Sequence, residues 1–309
     1  MKPELASLLQ KYEEKILGQS TNLRLLLSAI LTGGHVLLEG VPGTGKTKTV
    51  RTLAELLNGS FNRIQFTPDL LPSDITGSSI YNMQQGQFET IHGPIFTNIL
   101  LADEINRTPA KTQAALLEAM DEKQVTIQGK TYSLPEVFFV VATQNPIEFE
   151  GTYPLPEAQQ DRFLFKLYIE FPSFDEEKAV LQQVIENKSE ENPVDAVMSL
   201  DSFLDIKKEI EAVTLGDSVL DYMMKIVRKT REVESIRFGA STRAAISIGK
   251  ASRAWAYLEG RDYVTPDDVK VVAKPSLRHR VQLSPQIELE GASVDQVIQE
   301  LVGSVPVPR

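Results

Sequence analysis

The chain has 309 residues, with 42 acidic against 32 basic side chains and a net charge of −10. That length holds one large domain or two smaller ones and buries roughly 75% of the unfolded surface, so no covalent staple is required. With no cysteine, and only His35, His92 and His279 far apart in sequence, disulfides and thiolate metal sites are excluded, a zinc site is disfavoured, and the acidic balance argues against a simple DNA-binding surface.

Residues 5–31 carry helical periodicity, interrupted at "LGQS", where Gly18 ends one helix and Ser20 is placed to cap the next. "HVLLE", 35–39, is a short apolar run expected to be a buried strand, and it leads directly into "GVPGTGKT", 40–47. A helix then runs to Asn58 and Gly59. Strands are expected at 61–66, 97–102, 137–142 and 163–169, with a helix from Pro109 carrying Thr112, Ala115, Leu116 and Ala119 on one face. Strands alternating with helices imply a mostly parallel five-stranded sheet.

Two stretches break that rhythm. Residues 77–96 hold two strand-like runs around "QQG", and residues 125–134 hold two more around Gly129, so each reads as a β-hairpin. They are either decorative loops or projections towards a partner or pore. After Pro172 the pattern becomes helix after helix, with Ile248, Ala251, Trp255 and Leu258 at spacings of three and four. The expected organisation is an α/β core over 1–172 and a smaller helical domain over 173–309. Trp255, Met223 and Met224 read as core residues. Met1 to Gln10 lacks a signal pattern, and runs such as "FFVVA" are too short to span a bilayer. A soluble, cytoplasmic protein with no membrane span is expected.

Gly40, Gly45, Lys46 and Thr47 satisfy G-x-x-x-x-G-K-[ST] between a strand and a helix. Glycines let backbone N–H groups wrap an anion, and the helix start adds its positive dipole end. Lys46 would reach the β- and γ-phosphates, and Thr47 would give an oxygen to Mg²⁺. "LLADEINRT" then acquires a purpose: Asp103, at the tip of a neighbouring strand, would hold Mg²⁺ mainly through water, and Glu104 would orient and polarise the attacking water.

The chain resembles the AAA+ ATPases, and within them the MoxR group of the helix-2-insert clade. The resemblance spans nearly the whole chain and rests on "GVPGTGKT", "LLADEINR", "VVATQNP", "LPEAQQDRF", "FGASTRA" and "LRHR" in that order. It implies a P-loop three-layer αβα core with a smaller all-α lid, ATP/ADP and Mg²⁺ as ligands, and ATP hydrolysis. Asn145 matches sensor 1. Arg162 matches an arginine finger, with an intrachain salt bridge to Glu157 or Asp161 as the alternative. Arg243 matches sensor 2, acting in cis or in trans, although the group usually has Pro where this chain has Thr242. "ILGQ", containing Gly18 and Gln19, matches the adenine-pocket segment or is an ordinary helix end. The nucleotide-contacting set is then Gly18, Gln19, Gly40, Pro42, Gly43, Thr44, Gly45, Lys46, Thr47 and Lys48. Arg278 and Arg280 of "LRHR" either meet acidic groups across a subunit interface or are solvated.

The resemblance further implies a homo-oligomer, typically a hexameric ring, in which hydrolysis changes the core–lid angle to remodel protein clients, among them von Willebrand factor A-domain partners. A nucleic-acid motor is the second reading; against it, the first hairpin has no Lys or Arg and the second only Lys130. The third is a non-hydrolysing, nucleotide-dependent scaffold.

Overall fold

The computed structural model describes residues 2–145, 152–185 and 195–308. Pro146, part of the "VVATQNP" stretch, lies outside them. Helix α1 (Pro3–Lys15) starts with proline at its first position and buries Leu5, Leu8, Leu9 and Tyr12 on one face. Helix α2 (Ser20–Leu31) comes after a turn, but Ser20 does not cap it. Its hydroxyl donates to Glu13 Oε1 at 2.6 Å instead, and Gln19 occupies the cap position.

The sheet strands are β1 (Val36–Gly40), β2 (Phe61–Gln65), β5 (Ile99–Asp103), β8 (Phe139–Gln144) and β9 (Phe165–Ile169), in spatial order β2-β5-β8-β1-β9 and all parallel. Helix α3 (Lys46–Leu56) connects β1 to β2, and α5 (Ala110–Glu122) comes after β5 and a 3₁₀ turn at Ile105–Arg107. Alternation decides the layers. Val36 and Leu38 join α1, α2 and α3 in one apolar cluster, whereas Leu37 turns to the other face with Leu116, Leu117 and Met120 of α5.

Both hairpins are present. Helix α4 (Pro72–Thr76) leads into β3 (Gly77–Asn82) and β4 (Gln87–His92), while β6 (Gln124–Ile127) and β7 (Lys130–Ser133) turn through left-handed Gln128 and Gly129. They touch each other: Thr90 Oγ1 and Tyr132 Oη lie 2.8 Å apart, and the rings of His92 and Tyr132 meet edge to face. The outer hairpin exposes Ile80, Tyr81, Met83 and Phe88.

After the short α6 (Glu157–Gln160) and β9 come α7 (Phe174–Ile185), α8 (Leu200–Glu211), α9 (Asp217–Lys229), α10 (Thr242–Leu258), α11 (Pro266–Leu277), α12 (Pro285–Leu289) and α13 (Val294–Gly303). The helical part also holds a small antiparallel ladder of β10 (Ile236–Phe238) with β11 (Gln282–Leu283). Met223 is core, Trp255 packs against the core partly buried, and Met224 is exposed, one helical step off the apolar face. No helix among the described residues is long and apolar enough to cross a membrane.

Arg278 and Arg280 take neither expected role. Arg280, 3% exposed, donates to Asp161 Oδ1 at 2.6 Å and to the carbonyls of Asp161, Leu164, Phe163 and Ser276. Arg278 donates to Lys166 O at 3.1 Å and Asp295 Oδ2 at 2.7 Å, with its guanidinium over the Tyr168 ring. Together they bolt the helical part onto edge strand β9, through Arg278, and onto the residues that lead into it, through Arg280. The reason is geometric: the end of α11 lies against the backbone carbonyls of residues 161–166, which a planar, five-donor guanidinium satisfies.

His35 and His279 are buried neutral groups. His35 Nδ1 accepts from Val140 N at 3.0 Å, so Nε2 carries the proton and donates to Met120 O at 3.2 Å. Burial pushes the His35 pKa from 6.5 down to about 4, with nearby Lys123 pushing the same way and Asp121 opposing. The unfolded chain therefore binds a proton near pH 6.5 that the folded chain refuses until about pH 4. Its stabilisation is complete above pH 6.5 and declines as pH falls towards 4, by about 3 kcal/mol in total. Burial lowers His279 as well, with the same sign. Urea unfolding at pH 7 and pH 5 should show lower stability at pH 5, with a smaller difference in His35→Gln; an unchanged difference in the variant would remove His35 from this account.

Candidate functional site

The C-terminal tips of β1, β8 and β5 stand side by side and carry most of the expected site. Gly40 ends β1; a Cβ there would meet Ile169 O at 2.6 Å, so only glycine fits beside β9. Gly45 caps α3 with φ 79°, a left-handed conformation that suits glycine and turns the loop into the helix. Pro42, Gly43 and Lys48 face solvent, and the Thr44 hydroxyl donates to Val41 O at 3.0 Å. Among the described residues the amides of 43–47 make no backbone hydrogen bond, which leaves an open set of donors at a helix N-terminus. Lys46 folds back onto the loop, donating to Gly40 O at 2.5 Å and Val41 O at 3.0 Å. Burial lowers its pKa, and the charges of Asp103 and Glu104 oppose that, which places all three in one electrostatic neighbourhood.

Asp103 is the last residue of β5 and is buried. Its Oδ1 accepts from the Thr143 hydroxyl at 2.6 Å, and its Oδ2 accepts from Arg63 Nη2 at 2.7 Å and Nε at 3.0 Å. Glu104 sits at φ 58°, ψ 49°, a strained backbone for a residue with a Cβ. Its amide donates to Thr143 Oγ1 at 2.8 Å, and its Oε2 accepts from Gln65 Nε2 and Arg107 Nη1. Thr143 thus joins both acids with one hydroxyl. Asn145, buried, stands just past the end of β8 between the acidic tip and the phosphate loop. Thr47 is half-buried at the second position of α3.

The tips of β1 and β5 are two strands, about 10 Å, apart. Among the described residues no group of three or more His, Cys, Asp or Glu side chains could hold a metal alone. Thr47 and Asp103 offer the oxygen donors that magnesium prefers, and they would hold such an ion together with the phosphates of a bound nucleotide.

Gly18 and Gln19 line a crevice of about 490 Å³ together with Asn22, Tyr168, Phe171 and Arg278. Asn22 Nδ2 donates to Gln19 Oε1 at 2.8 Å and to Tyr168 O at 3.0 Å, tying the turn before α2 to the end of β9. The volume is that of a small-molecule site.

Arg162 and Arg243 are elsewhere. Arg162 does not pair with Glu157 or Asp161; Asp161 is engaged by Arg280. Arg162 Nη1 reaches Leu117 O at 2.8 Å and Asp121 Oδ2 at 3.2 Å. Arg243 Nη2 lies 3.5 Å from Asp121 Oδ1. Asp121 is near the C-terminal end of α5, where His35, the residue before β1, binds Met120 O. Both arginines therefore lie at the N-terminal edge of the sheet, roughly 15 Å, the length of β1, from the phosphate loop.

Sequence reasoning did not single out Thr143, Arg63, Asn22 or Asp121. Thr143 had a signal, a hydroxyl inside the apolar run "FFVVAT". Asp121 had none, because acids near a helix end are ordinary.

The model for the ATPase family associated with various cellular activities matches residues 35–165, and that for the AAA lid domain matches residues 228–301. The chain is 48% identical to the uncharacterized protein YeaC of Bacillus subtilis, over 99% of this chain and 95% of that protein. It is 43% identical to Chaperone MoxR1 of Mycobacterium tuberculosis, over 95% of this chain and 80% of that one. A crystal structure of a candidate ATPase from Cytophaga hutchinsonii superposes with a TM-score of 0.92 at 44% identity, covering 99% of this chain and 95% of that one. With the phosphate loop, the acidic strand tip and a helical lid all in place, the chain belongs to the MoxR family of AAA+ ATPases.

Proposed function

We propose that this protein hydrolyses ATP at an interface between its own copies and uses the turnover for chaperone-like remodelling of protein complexes. Residues 1–172 serve as the nucleotide-binding core and 173–309 as the lid. The amides of the phosphate loop and Lys46 bind the phosphates, and Gly18 and Gln19 border the base. Magnesium, when bound with Thr47 and Asp103, neutralises phosphate charge. Glu104 orients and polarises the attacking water, Asn145 contacts the γ-phosphate or that water, and Thr143 fixes the two acids relative to each other. The water oxygen attacks the γ-phosphorus, the bond to the β-phosphate oxygen breaks, and ADP and inorganic phosphate leave.

The observation that carries this reading is the separation of Arg162 and Arg243 from Lys46 across the length of β1. Within one protomer neither arginine reaches the phosphates, so both serve best in trans, on a neighbour's nucleotide. Such head-to-tail contacts form a ring where the rotation between copies closes, and six copies is the family's usual number. Clients with von Willebrand factor A domains and a cytoplasmic setting are part of this proposal. The bolt of Arg278 and Arg280 onto β9 and the segment before it favours movement between protomers over hinging of the lid on its own core.

Mixing tests it. Lys46→Ala keeps the arginines and loses the phosphate site; Arg162→Ala does the reverse. Each alone should be nearly inactive. A 1:1 mixture that exchanges freely should recover about a quarter of wild-type turnover, because about one interface in four pairs two intact halves. A mixture as silent as its components, with assembly intact, would exclude catalysis in trans.

A further inference from the structure

One carboxylate holds both arginines that the interface reading sends to a neighbour's nucleotide. Asp121 Oδ2 takes Arg162 and Asp121 Oδ1 takes Arg243, at 3.2 and 3.5 Å. The two arginines come from distant parts of the chain: Arg162 precedes β9, and Arg243 is the second residue of α10. Two guanidiniums brought this close repel each other unless an anion stands between them. Asp121 supplies that charge from the rigid end of α5, whose Leu117 carbonyl also receives Arg162.

The remaining donors are informative. Arg162 uses only Nη1 for these contacts and Arg243 only Nη2. Each planar fork has five N–H donors. The other edge of each guanidinium makes no hydrogen bond among the described residues and is available to phosphate oxygens. The side chains of Arg162, Arg243 and Asp121 are 32%, 50% and 29% exposed, so this cluster opens onto solvent at the edge of the sheet.

We propose that Asp121 is a positioning residue for trans hydrolysis. It aligns Arg162 and Arg243 as a pair and lets two cations approach one γ-phosphate together. The proposal rests on the interface reading above. Partly exposed ion pairs are weak, so the carboxylate orients the arginines without competing strongly with a multiply charged phosphate.

The test compares Asp121→Asn, Asp121→Glu, Arg162→Ala, Arg243→Ala and the doubles Asp121→Asn/Arg162→Ala and Asp121→Asn/Arg243→Ala. Phosphate release gives kcat and KM for ATP, and sedimentation in ATP gives assembly. Asp121→Asn should lower kcat roughly 10-fold or more, because misplacing a catalytic group by an ångström costs up to about 100-fold. KM and assembly should stay near wild type, and Asp121→Glu should recover part of the loss. In either arginine-deleted background Asp121→Asn should have much less effect, since only one cation remains to align. An unchanged kcat in Asp121→Asn, or the same fold loss in both doubles as in wild type, overturns the assignment of Asp121. If Arg162→Ala and Arg243→Ala both turn over like wild type, the interface reading fails and takes this proposal with it.

Discussion

Arg162→Ala is expected to bind ATP with near wild-type affinity and to hydrolyse it about 10³ to 10⁵ times more slowly, a barrier increase of roughly 4 to 7 kcal/mol. The loss is large because the arginine meets charge that develops on the transferring phosphoryl group, where a preorganised cation has most effect. Under the proposed trans arrangement binding survives, because the phosphate loop, Lys46 and the crevice at Gly18 and Gln19 would lie on the other side of the interface from Arg162. The fold should survive too. Arg162 makes two contacts in its own chain, one carbonyl and one partly exposed ion pair, and such pairs contribute about 0 to 1 kcal/mol. Phosphate release and fluorescent-nucleotide binding on the same preparation separate the two effects. Equal turnover in variant and wild type would end the finger assignment.

Glu104→Gln is expected to slow phosphate release by about 10² to 10⁴, or roughly 3 to 5 kcal/mol, the usual contribution of a positioned general base. Glutamine keeps the shape and can still accept from Gln65 or Arg107, as Glu104 does now. It cannot polarise a water as a carboxylate does. The strained backbone at Glu104 should persist, since Thr143 still receives its amide. ATP-loaded assemblies should therefore accumulate and hold clients long enough to be isolated, whereas a scaffold that never hydrolyses would behave as wild type does. Turnover within a few-fold of wild type would assign the water to another residue.

Strand limits show what local pattern misses. Apolar runs placed strands at 35–39, 97–102 and 137–142, whereas β1, β5 and β8 each end later, at Gly40, Asp103 and Gln144. The pairing continues through polar residues: Gln65 opposite Asp103, and Glu39 opposite Gln144. Polar side chains at these tips bind one another, Gln65 to Glu104 and Glu39 to Lys166, so hydrophobicity stops before the pairing does. The hairpins were legible because a glycine, Gly86 in "QQG" and Gly129 in the second, stands between two strand-like runs, and each takes the left-handed φ that a tight turn needs.

The sequence by itself determined the phosphate loop, the acid pair at a strand tip, the alternation that makes a layered α/β core and the helical character of the C-terminal part. Each is a local property, carried by residues within one or two turns or strands of each other. Only the tertiary structure decided that Thr143 joins Asp103 to Glu104, that Arg278 and Arg280 fasten the lid to β9 and the segment before it, and that Arg162 and Arg243 meet on Asp121 at the far edge of the sheet. These groups are about 40 to 120 residues apart in the chain. A charged side chain takes whichever partner the packing brings within about 3 Å, and no spacing rule in the sequence encodes that choice.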